Sequence, residues 1–326
     1  MRAPQTPADE DQRLNMLRGL CVLDTAPEER FDRLTRMAQR MFNVPIALVS
    51  LIDSNRQWFK SRIGLEVTET AREISFCGHA ILEDDVLLIE NALLDDRFSD
   101  NPLVLGPPHI RFYAGCPLKV GDMKLGTLCL IDDKGRVFED LDYQLLRDLA
   151  KMAEMELAST QLALTDELTS LSNRRGFEML SLQAIRTCER LGKPATLLYF
   201  DLNDFKKIND NFGHHEGDHV LKVFADTLLT LFRGSDVISR IGGDEFVVLL
   251  TDADQQRASL IISRMHEWID RINRGTQRGY DIRFSVGHIE YDRSRHTSTA
   301  VLLADADAAM YACKQAYRNK NIDPSP

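Results

Sequence analysis

The sequence predicts an α+β fold in two domains joined by a long helix. The chain has 326 residues, about twice the usual domain length of roughly 100 to 200 residues. Its predicted helices and strands fall into two groups, each with enough strands to form a sheet. Between residues 138 and 169 there is no Pro or Gly, and apolar side chains recur at helical spacing. We therefore expect one continuous helix to connect the two groups.

The first group begins with helices and continues with strands. Amphipathic patterns predict helices at residues 13–20 and 27–42. Apolar runs bounded by turn residues predict strands at residues 44–53, 86–89, 114–120 and 125–132. The apolar stripe of the connecting helix fades after Leu157, so the sequence leaves two interpretations open. The helix either caps the first domain or forms the seam of a dimer.

The second group alternates helices with strands. Helices are predicted near residues 175–190, 219–232, 253–274 and 299–317. Strands are predicted at residues 195–201, 237–241, 246–250 and 282–290. The order α, β, α, β, β, α, β, α is close to the split βαβ arrangement of ferredoxin-like domains.

Composition and charge exclude several classes of protein. With 44% hydrophobic and 28% charged residues the chain is globular, and no apolar run approaches the roughly 20 residues that a membrane-spanning helix needs. A net charge of -10 disfavours non-specific binding to nucleic acid or to an anionic membrane. The polar start lacks the apolar core of a signal peptide, so we expect a cytoplasmic protein. The six cysteines lack CxxC spacing, which predicts reduced thiols and no structural zinc.

Carboxylates are predicted to meet in the second group. In RIGGDEFVVLL, residues 240–250, Gly242 and Gly243 separate two apolar strands and predict a two-residue hairpin with glycines at positive φ. Asp244 and Glu245 then lie at the hairpin tip. Asp201 ends a strand that is apolar on both faces, where a charge is costly unless it enters a site. Such oxygen ligands suit Mg²⁺ shared with the phosphates of a nucleotide, with Mn²⁺ as an alternative.

Five segments of the second group resemble the GGDEF family of diguanylate cyclases. They occur in the family's order across residues 164–319, as DELTSLSNRR (166–175), DLNDFKKIND (201–210), FGHHEGD (212–218), GGDEF (242–246) and SVG (285–287). The resemblance implies a nucleotide-cyclase-type fold and the condensation of two GTP into cyclic di-GMP with release of two pyrophosphates. Because each family domain binds one GTP, it also implies a homodimer.

The resemblance also implies which residues hold the metal. Asp201, Asp244 and the backbone carbonyl of Leu202 would bind Mg²⁺ against the GTP phosphates. Glu245 would be either a second metal ligand or a proton acceptor, and the sequence does not separate these two functions. The catalytic residues implied are therefore Asp201, Asp244 and Glu245.

Substrate and product contacts follow from the same resemblance. Asn209 and Asp218 would bind the edge of guanine, since an amide and a carboxylate offer the matching donor and acceptor groups. Three cations would offset the phosphate charge, namely Lys206, Lys314 and Arg318. The segment RGSD, residues 233–236, stands where the family carries a product-inhibition site. Cyclic di-GMP would bind there to Arg233 and Asp236, aided by Arg264.

Three positions depart from the family pattern. Ser170 stands where the family usually has Gly, and Asn203 stands where it often has Asp. Neither residue is an expected ligand. Tyr317 replaces a Gly that commonly precedes the Arg-Asn pair, so the last helix is expected to run on. That change bears on the placement of Arg318.

Residues 14–157 resemble the GAF family of sensory domains. The similar segments are FDRLTRMAQRMFNVPIALVSLID (31–53), RQWFKSRIGL (56–65), REISFCGHAI (72–81), RFSDNPLV (97–104), RFYAGCPL (111–118) and LGTLCLID (125–132). The resemblance implies a central antiparallel sheet flanked by helices, with a pocket that binds an unknown ligand or none. Cys77 and His79 suggest haem, bilin or redox chemistry, but we interpret them as buried structural residues, and Cys116 and Cys129 as core.

The sequence therefore predicts a sensor enzyme. Its predicted parts are a tail (1–13), a GAF-like domain whose last helix begins the connector (14–157, helix 138–157), the rest of the connector (158–165), a GGDEF domain (166–320) and a second tail (321–326). Two alternatives are a catalytically silent receptor of cyclic di-GMP and a cyclase with relaxed base specificity. The intact metal and phosphate residues count against the first alternative, and Asp218 counts against the second.

Overall fold

A computed structural model gives the fold. It describes residues 1–276 and 278–321, apart from the side chains of Arg318, Lys320 and Asn321. These residues divide into two compact units, the first ending at Gln161 and the second beginning at Leu162. Each unit contains an antiparallel sheet with helices, so the predicted α+β class is confirmed. No helix within the described ranges is long and apolar enough to cross a bilayer.

The first unit is built on a six-stranded antiparallel sheet. Its strands are β1 Ile46–Ile52, β2 Arg56–Ile63, β3 Glu69–Ala71, β4 Leu87–Ile89, β5 Phe112–Val120 and β6 Met123–Asp132. They lie in the order β3-β2-β1-β6-β5-β4. The helices are α1 Glu10–Gly19, α2 Glu29–Phe42, α3 Phe76–Ala80, α4 Pro102–Leu105 and α5 Asp140–Leu164, the last of which is the predicted connecting helix.

Apolar cores cover both faces of this sheet. Alternate residues of β1 enter the two cores, as the two-residue repeat of a strand requires. On one side, α2 buries Phe31, Leu34, Ala38 and Phe42, which recur every three or four residues and so form one helical stripe. This stripe packs with buried residues of α1 and α5. On the other side lies the short helix α3.

Strand β2 was not predicted because it buries polar side chains. The side chain of Lys60 has no exposed surface, pairs with Glu28 at 2.6 Å and donates to Thr25 Oγ1 at 2.6 Å. The hydroxyl of Ser61 donates to Asp32 Oδ1 at 2.6 Å. These partners lie on α2 or just before it, so the burial of β2 depends on residues that are distant in sequence. A local hydrophobic pattern does not reveal such a strand.

The second unit is built on a four-stranded antiparallel sheet. Its strands are β7 Ala195–Leu202, β8 Val237–Arg240, β9 Glu245–Thr251 and β10 Phe284–Glu290. They lie in the order β10-β7-β9-β8. Its helices are α6 Arg174–Leu191, α7 Phe205–Phe212, α8 His214–Leu231, α9 Gln255–Gly275 and α10 Thr299–Asn321.

Helix α7 is an element that the sequence pattern did not predict. It buries a single apolar side chain, Ile208, so its amphipathic repeat is too short to recognise. Gly213, with φ of 88°, separates α7 from α8 in a conformation that glycine adopts readily. Helix α8 therefore begins at His214, earlier than the predicted residue 219. The extra helix follows directly from the end of β7, where the candidate site lies.

Candidate active site

Strand β7 delivers Asp201 to one end of the sheet. All eight residues of β7 are buried, and Asp201 is 6% exposed. In the antiparallel register Asp201 pairs with Glu245 at the start of β9. The N–H of Leu202 donates to the carbonyl of Asp244 at 3.1 Å. The sheet therefore brings together the three predicted catalytic residues.

The connection between β8 and β9 differs from the predicted two-residue hairpin. The N–H of Ile241 donates to the carbonyl of Glu245 at 3.0 Å, so the turn contains the three residues from Gly242 to Asp244. Neither Gly242 nor Gly243 is among the described residues with positive φ, so the predicted reason for these glycines was wrong. Gly242 instead leaves room for the carboxylate of Glu245, because an added Cβ would overlap Glu245 Oε2 and force that carboxylate to move.

A tyrosine that the sequence analysis missed holds the carboxylate of Glu245. Tyr199 lies two residues before Asp201, on the same face of β7, and its hydroxyl donates to Glu245 Oε1 at 3.1 Å. Burial and then the charge of Glu245 raise the pKa of the Tyr199 phenol, which therefore stays a donor. The alternation of side chains along β7 is the sequence signal that could have identified this residue.

The buried carboxylate of Asp201 is paired with a cation of α10. Lys314 Nζ lies 2.5 Å from Asp201 Oδ1, and the two side chains are 19% and 8% exposed. A carboxylate this far from solvent is costly without a partner of opposite charge. The predicted phosphate-binding lysine thus contacts the predicted metal ligand in this structure.

The first motif of the GGDEF-like half anchors the turn. Arg240 Nη1 donates to Asp166 Oδ1 at 3.0 Å, and Arg240 Nη2 donates to the carbonyl of Gly243 at 2.8 Å. Burial alone raises the pKa of the Asp166 carboxyl, but hydrogen bonds from Thr169 and Arg240 hold it below its usual value. Asp166 and Arg240 belong to segments that the sequence analysis quoted, yet their pairing was not predicted.

A cleft of about 290 Å³ lies beside these residues. Four of the residues predicted to bind metal or GTP line it, namely Leu202, Lys206, Asp244 and Lys314. The other lining residues are Asn203, Asp204, Phe205, Lys207, Asp210 and Tyr317. Helix α7 begins at the cleft, and its N-cap residue Asp204 makes no side-chain hydrogen bond to the first turn. The first N–H groups of α7 therefore suit an anion.

Asn209 and Asp218 are not among the described residues that line the cleft. Asn209 is on α7 and Asp218 is on α8. The side chain of Asn209 packs so closely on Gly217 that an added Cβ there would overlap Asn209 Oδ1. Asp218 follows Gly217 directly and is exposed. The two helices thus place an amide and a carboxylate near each other.

The segment RGSD forms a tight turn in which Asp236 has a structural function. Asp236 Oδ2 accepts from the N–H of Arg233 at 3.0 Å, and Asp236 Oδ1 accepts from the N–H of Thr251 at 2.9 Å. The side chain of Arg233 is exposed. Arg264 lies on α9, and among the described residues no hydrogen bond or ion pair joins it to Arg233 or Asp236.

The departures from the family pattern have visible structural effects. Ser170 adopts φ of 58°, in the left-handed region that favours glycine. Asn203 is buried, and its Oδ1 accepts from Ser285 Oγ at 2.8 Å. Helix α10 runs on through Tyr317, as expected, and Tyr317 lines the cleft. The side chain of Arg318 lies outside the described residues.

The oxygen donors at the cleft fit a hard divalent cation that a substrate helps to hold. Asp201 and Asp244 supply carboxylates, and Leu202 supplies a carbonyl. In the part of the chain that the structure describes, no group of three or more His, Cys, Asp or Glu side chains is arranged to bind a metal. A cation held by these oxygens would take its remaining ligands from phosphates and water, as is usual for Mg²⁺.

Two family models match the chain. Residues 26–157 match the GAF domain, and residues 163–320 match the family described as diguanylate cyclase, GGDEF domain. The chain contains a GAF domain followed by a GGDEF domain. The two resemblances seen in the sequence are therefore confirmed, while the bounds at residues 14–157 and 166–320 remain predictions.

Relatives with known names match about half of the chain. It is 39% identical over 177 residues to cyclic di-GMP phosphodiesterase PA2567 of Pseudomonas aeruginosa, a match that covers 53% of this chain and 30% of that protein. It is 33% identical over 170 residues to probable diguanylate cyclase DgcC of Escherichia coli, covering 52% and 46%. The chain thus spans less than half the length of these two relatives.

A solved structure also resembles the second half. It is the GGDEF domain of DgcB from Caulobacter crescentus in complex with c-di-GMP, which is 27% identical in sequence. The match covers 47% of this chain and 91% of that one, with a TM-score of 0.44.

The residues singled out in the GAF domain are buried. Cys77 and His79 are 1% and 9% exposed, and His79 Nε2 forms a hydrogen bond with the carbonyl of Arg2 at 2.9 Å. Cys116 and Cys129 are buried as well. These positions agree with the interpretation of all four as interior residues. A separate cleft of about 400 Å³ lies beside α2 and β2.

Proposed function

We propose that the GGDEF domain is a diguanylate cyclase that condenses two GTP into cyclic di-GMP, releases two pyrophosphates and is controlled by the GAF domain. The family match and relatives named as diguanylate cyclases support a nucleotidyltransferase of this kind. The observation that carries the proposal is the cleft at which the end of β7, the turn at Asp244 and Lys314 meet. The relative named as a phosphodiesterase shares 30% of its length with this chain, so its activity is not transferred.

Asp201, Asp244 and the carbonyl of Leu202 would hold Mg²⁺, with Mn²⁺ as a substitute. When bound, the cation neutralises phosphate charge and lowers the pKa of the attacking hydroxyl. Lys314 balances the charge of Asp201 in the structure described here, at 2.5 Å. Once the carboxylate has another cationic partner, Lys314 is able to leave it and contact the phosphates. The buried carboxylate then stays balanced in both states.

GTP would be held by groups around the cleft. Lys206 and Lys314, together with Arg318, would offset the charge of the triphosphate. The N-terminal turn of α7 adds N–H donors that no side chain caps. Asn209 and Asp218 would bind the guanine edge from the adjacent ends of α7 and α8.

Catalysis would depend on the positions of these groups more than on covalent chemistry. The 3′-hydroxyl of one GTP attacks the α-phosphate of another, pyrophosphate leaves, and a second attack closes the ring. Glu245, held by Tyr199 at 3.1 Å, would accept the hydroxyl proton or complete the metal coordination. Because one domain holds one GTP, two domains must face each other in a homodimer.

One face of α5 supports a second copy of the chain as the partner. Leu141, Met152 and Met155 are 72%, 42% and 64% exposed, and at about 100° per residue they fall within an arc of about 60°. The buried residues of the helix face the core of the GAF domain and include Leu146, Leu149, Ala153 and Leu157. The helix therefore both caps the GAF domain and presents an exposed apolar stripe, which suits a symmetric dimer.

Cyclic di-GMP would also inhibit the enzyme at Arg233, Asp236 and Arg264. The exposed guanidinium of Arg233 is able to form two parallel hydrogen bonds to a phosphate or a guanine edge. Asp236 would contribute by holding the RGSD turn through the N–H groups of Arg233 and Thr251.

Product analysis tests the proposed activity. The purified chain is incubated with Mg²⁺ and GTP, then with GTP plus ATP, and the products are separated by chromatography. We expect cyclic di-GMP as the cyclic product of both reactions. Binding of cyclic di-GMP without any turnover would favour the silent receptor, and a mixed GMP-AMP product would favour relaxed base specificity. Either outcome would contradict the proposed function.

A further inference from the structure

Five polar or thiol side chains converge in the interior of the GAF domain. Ser50, Tyr113, Thr127 and Cys129 have no exposed surface, and Cys77 is 1% exposed. Ser50 and Thr127 are paired across β1 and β6, so they stand side by side on one face of the sheet. Cys129 lies two residues after Thr127 and therefore on that same face. Helix α3 brings Cys77 onto it.

The two sulfurs are in contact. Cys77 Sγ lies 3.6 Å from Cys129 Sγ, against roughly 2.05 Å in a disulfide. Cys129 is on β6, which is paired on both sides, with β1 and with β5. Cys77 is on α3, a helix of five residues. A shift of α3 by about 1.5 Å toward the sheet would therefore bring the sulfurs to bonding distance.

Three buried hydroxyl groups lie close enough to Cys77 to influence its thiol. Within the described residues, the buried hydroxyls of Ser50, Tyr113 and Thr127 have no partner at hydrogen-bond geometry, so they are available to interact with a charged sulfur. Burial alone raises the pKa of the Cys77 thiol, but the hydroxyls and Cys129 act against it and lower that pKa. Burial raises the pKa of Cys129. The pair is thus asymmetric, with Cys77 as the better nucleophile.

A glycine makes room for this arrangement. An added Cβ at Gly115 would overlap the hydroxyl of Tyr113, which lies two residues earlier on the same face of β5. Gly115 is the neighbour of Cys129 in the pairing of β5 with β6. The tyrosine hydroxyl therefore reaches the sulfurs only because position 115 has no side chain.

We propose that Cys77 and Cys129 form a redox-active dithiol, a modification site that hydrogen peroxide converts to a disulfide. The Cys77 thiolate attacks one peroxide oxygen, the O–O bond breaks, and the departing hydroxide takes a proton to become water. The Cys129 sulfur then attacks the resulting sulfenic sulfur, the S–O bond breaks, and a second water leaves. Two electrons pass from the sulfurs to the peroxide. A small dithiol reverses the reaction by thiol–disulfide exchange.

The test is peptide mapping of the full chain after oxidation. Reduced protein is treated with hydrogen peroxide, free thiols are alkylated in denaturant, and the digest is analysed by mass spectrometry. We expect a peptide pair that joins Cys77 to Cys129, is lost on reduction and is absent from Cys77→Ser. Cys188→Ser, which removes a buried thiol of the GGDEF domain, should leave the pair unchanged. Full alkylation of Cys77 and Cys129 at doses that oxidise the exposed Cys313 would overturn the proposal.

A second variant tests the proposal even if Cys77→Ser does not fold. Tyr113→Phe removes one hydroxyl and keeps the ring, and we expect it to slow formation of the cross-link by roughly threefold or more, because that hydroxyl helps to lower the pKa of the Cys77 thiol. Tyr311→Phe, at an exposed position of α10, should leave the rate unchanged. An unaltered rate in Tyr113→Phe would refute Cys77 as the attacking thiolate and with it the proposed site.

Discussion

Glu245 is positioned by two neighbours, one on strand β7 and one in the turn between β8 and β9. The hydroxyl of Tyr199 donates to it at 3.1 Å, and Gly242 leaves the space that its carboxylate occupies. Asp201, next to it in the sheet, is instead balanced by Lys314. The carboxylates of Asp201 and Glu245 therefore have different environments. Such differences allow neighbouring acids to have different functions.

Replacing Tyr199 by Phe should lower kcat for GTP about tenfold, or ~1.4 kcal/mol, the size of one hydrogen bond to a charged group. The KM for GTP should change little, because Tyr199 does not line the cleft. Steady-state kinetics measure both constants. Tyr291→Phe is a matched control, since Tyr291 also donates to a glutamate, Glu189, at 3.1 Å but near the surface. Equal kcat values for the Tyr199 variant and the wild type would refute the positioning function.

Replacing Arg233 by Ala should relieve product inhibition. Loss of the bidentate guanidinium is expected to raise the inhibitory concentration of cyclic di-GMP roughly tenfold or more. Initial rates measured over a titration with cyclic di-GMP give this value, with Arg190→Ala as an exposed control. Unchanged inhibition in the Arg233 variant would exclude RGSD as the inhibitory site.

At the residue scale, the sequence predicted the chemical groups better than their contacts. Asp244 and Lys314 line one cleft, and Asp201 contacts Lys314 beside it, while the functions of all three residues remain predictions. The contact of Lys314 with Asp201 was not predicted, since the two residues are 113 positions apart. Tyr199 was not predicted because its aromatic ring fits the apolar pattern of β7. The alternation of side chains along the strand, which places Tyr199 on the same face as Asp201, was not considered.

Helix α1 illustrates stabilisation at the scale of an element. Arg13 is 1% exposed, and its Nη1 donates to the carbonyl of Ile52 at 2.6 Å. Glu10 accepts from Arg13 Nε at 2.8 Å and from Arg72 Nη1 at 2.5 Å. Burial alone raises the pKa of the Glu10 carboxyl, but Arg13 and Arg72 lower it to about 2. This network attaches α1 to the ends of two other segments of the GAF domain.

Glu10→Gln should lower the free energy of unfolding of the GAF domain by about 2 kcal/mol at pH 7. Because the folded pKa is lowered, the ionised carboxylate stabilises the fold above the unfolded value of about 4.5. The difference from the wild type should therefore disappear as the pH falls from about 4.5 to about 2. Denaturant unfolding across this range measures it. Asp11→Asn, in the same first turn but exposed, should show a smaller effect, and equal effects would contradict the network.

At the element scale, the sequence predicted long or strongly apolar elements and missed short or polar ones. The connecting helix α5 was evident because an apolar stripe that continues to Leu157 and the absence of Pro and Gly both indicate a long helix. Strand β2 was hidden because buried Lys60 and Ser61 find partners on or near α2. Tertiary contacts overrode local pattern in that strand.

At the scale of the whole molecule, helix α5 connects the GAF domain to the GGDEF domain. Helix α5 contributes buried residues to the GAF core and ends at Leu164, close to the start of the GGDEF family match at residue 163. Its exposed stripe supplies a surface on which two copies are expected to meet.

Met155→Glu should weaken dimerisation by at least roughly tenfold, because a charge would be buried at the seam. Sedimentation equilibrium measures the dimer dissociation constant. Leu260→Glu is a matched control, since Leu260 on α9 is 68% exposed against 64% for Met155. If both variants dimerise like the wild type, α5 is not the seam.

The most direct test of the account is the initial rate of cyclic di-GMP formation by Asp244→Ala and by the wild type. Asp244 lines the cleft at a turn and contributes little packing, so the variant should unfold like the wild type. Its rate with Mg²⁺ and GTP should fall more than roughly a hundredfold, while Asp226→Ala, an exposed control on α8, keeps full activity. A wild-type rate in the Asp244 variant would show that the chemistry does not take place at this cleft.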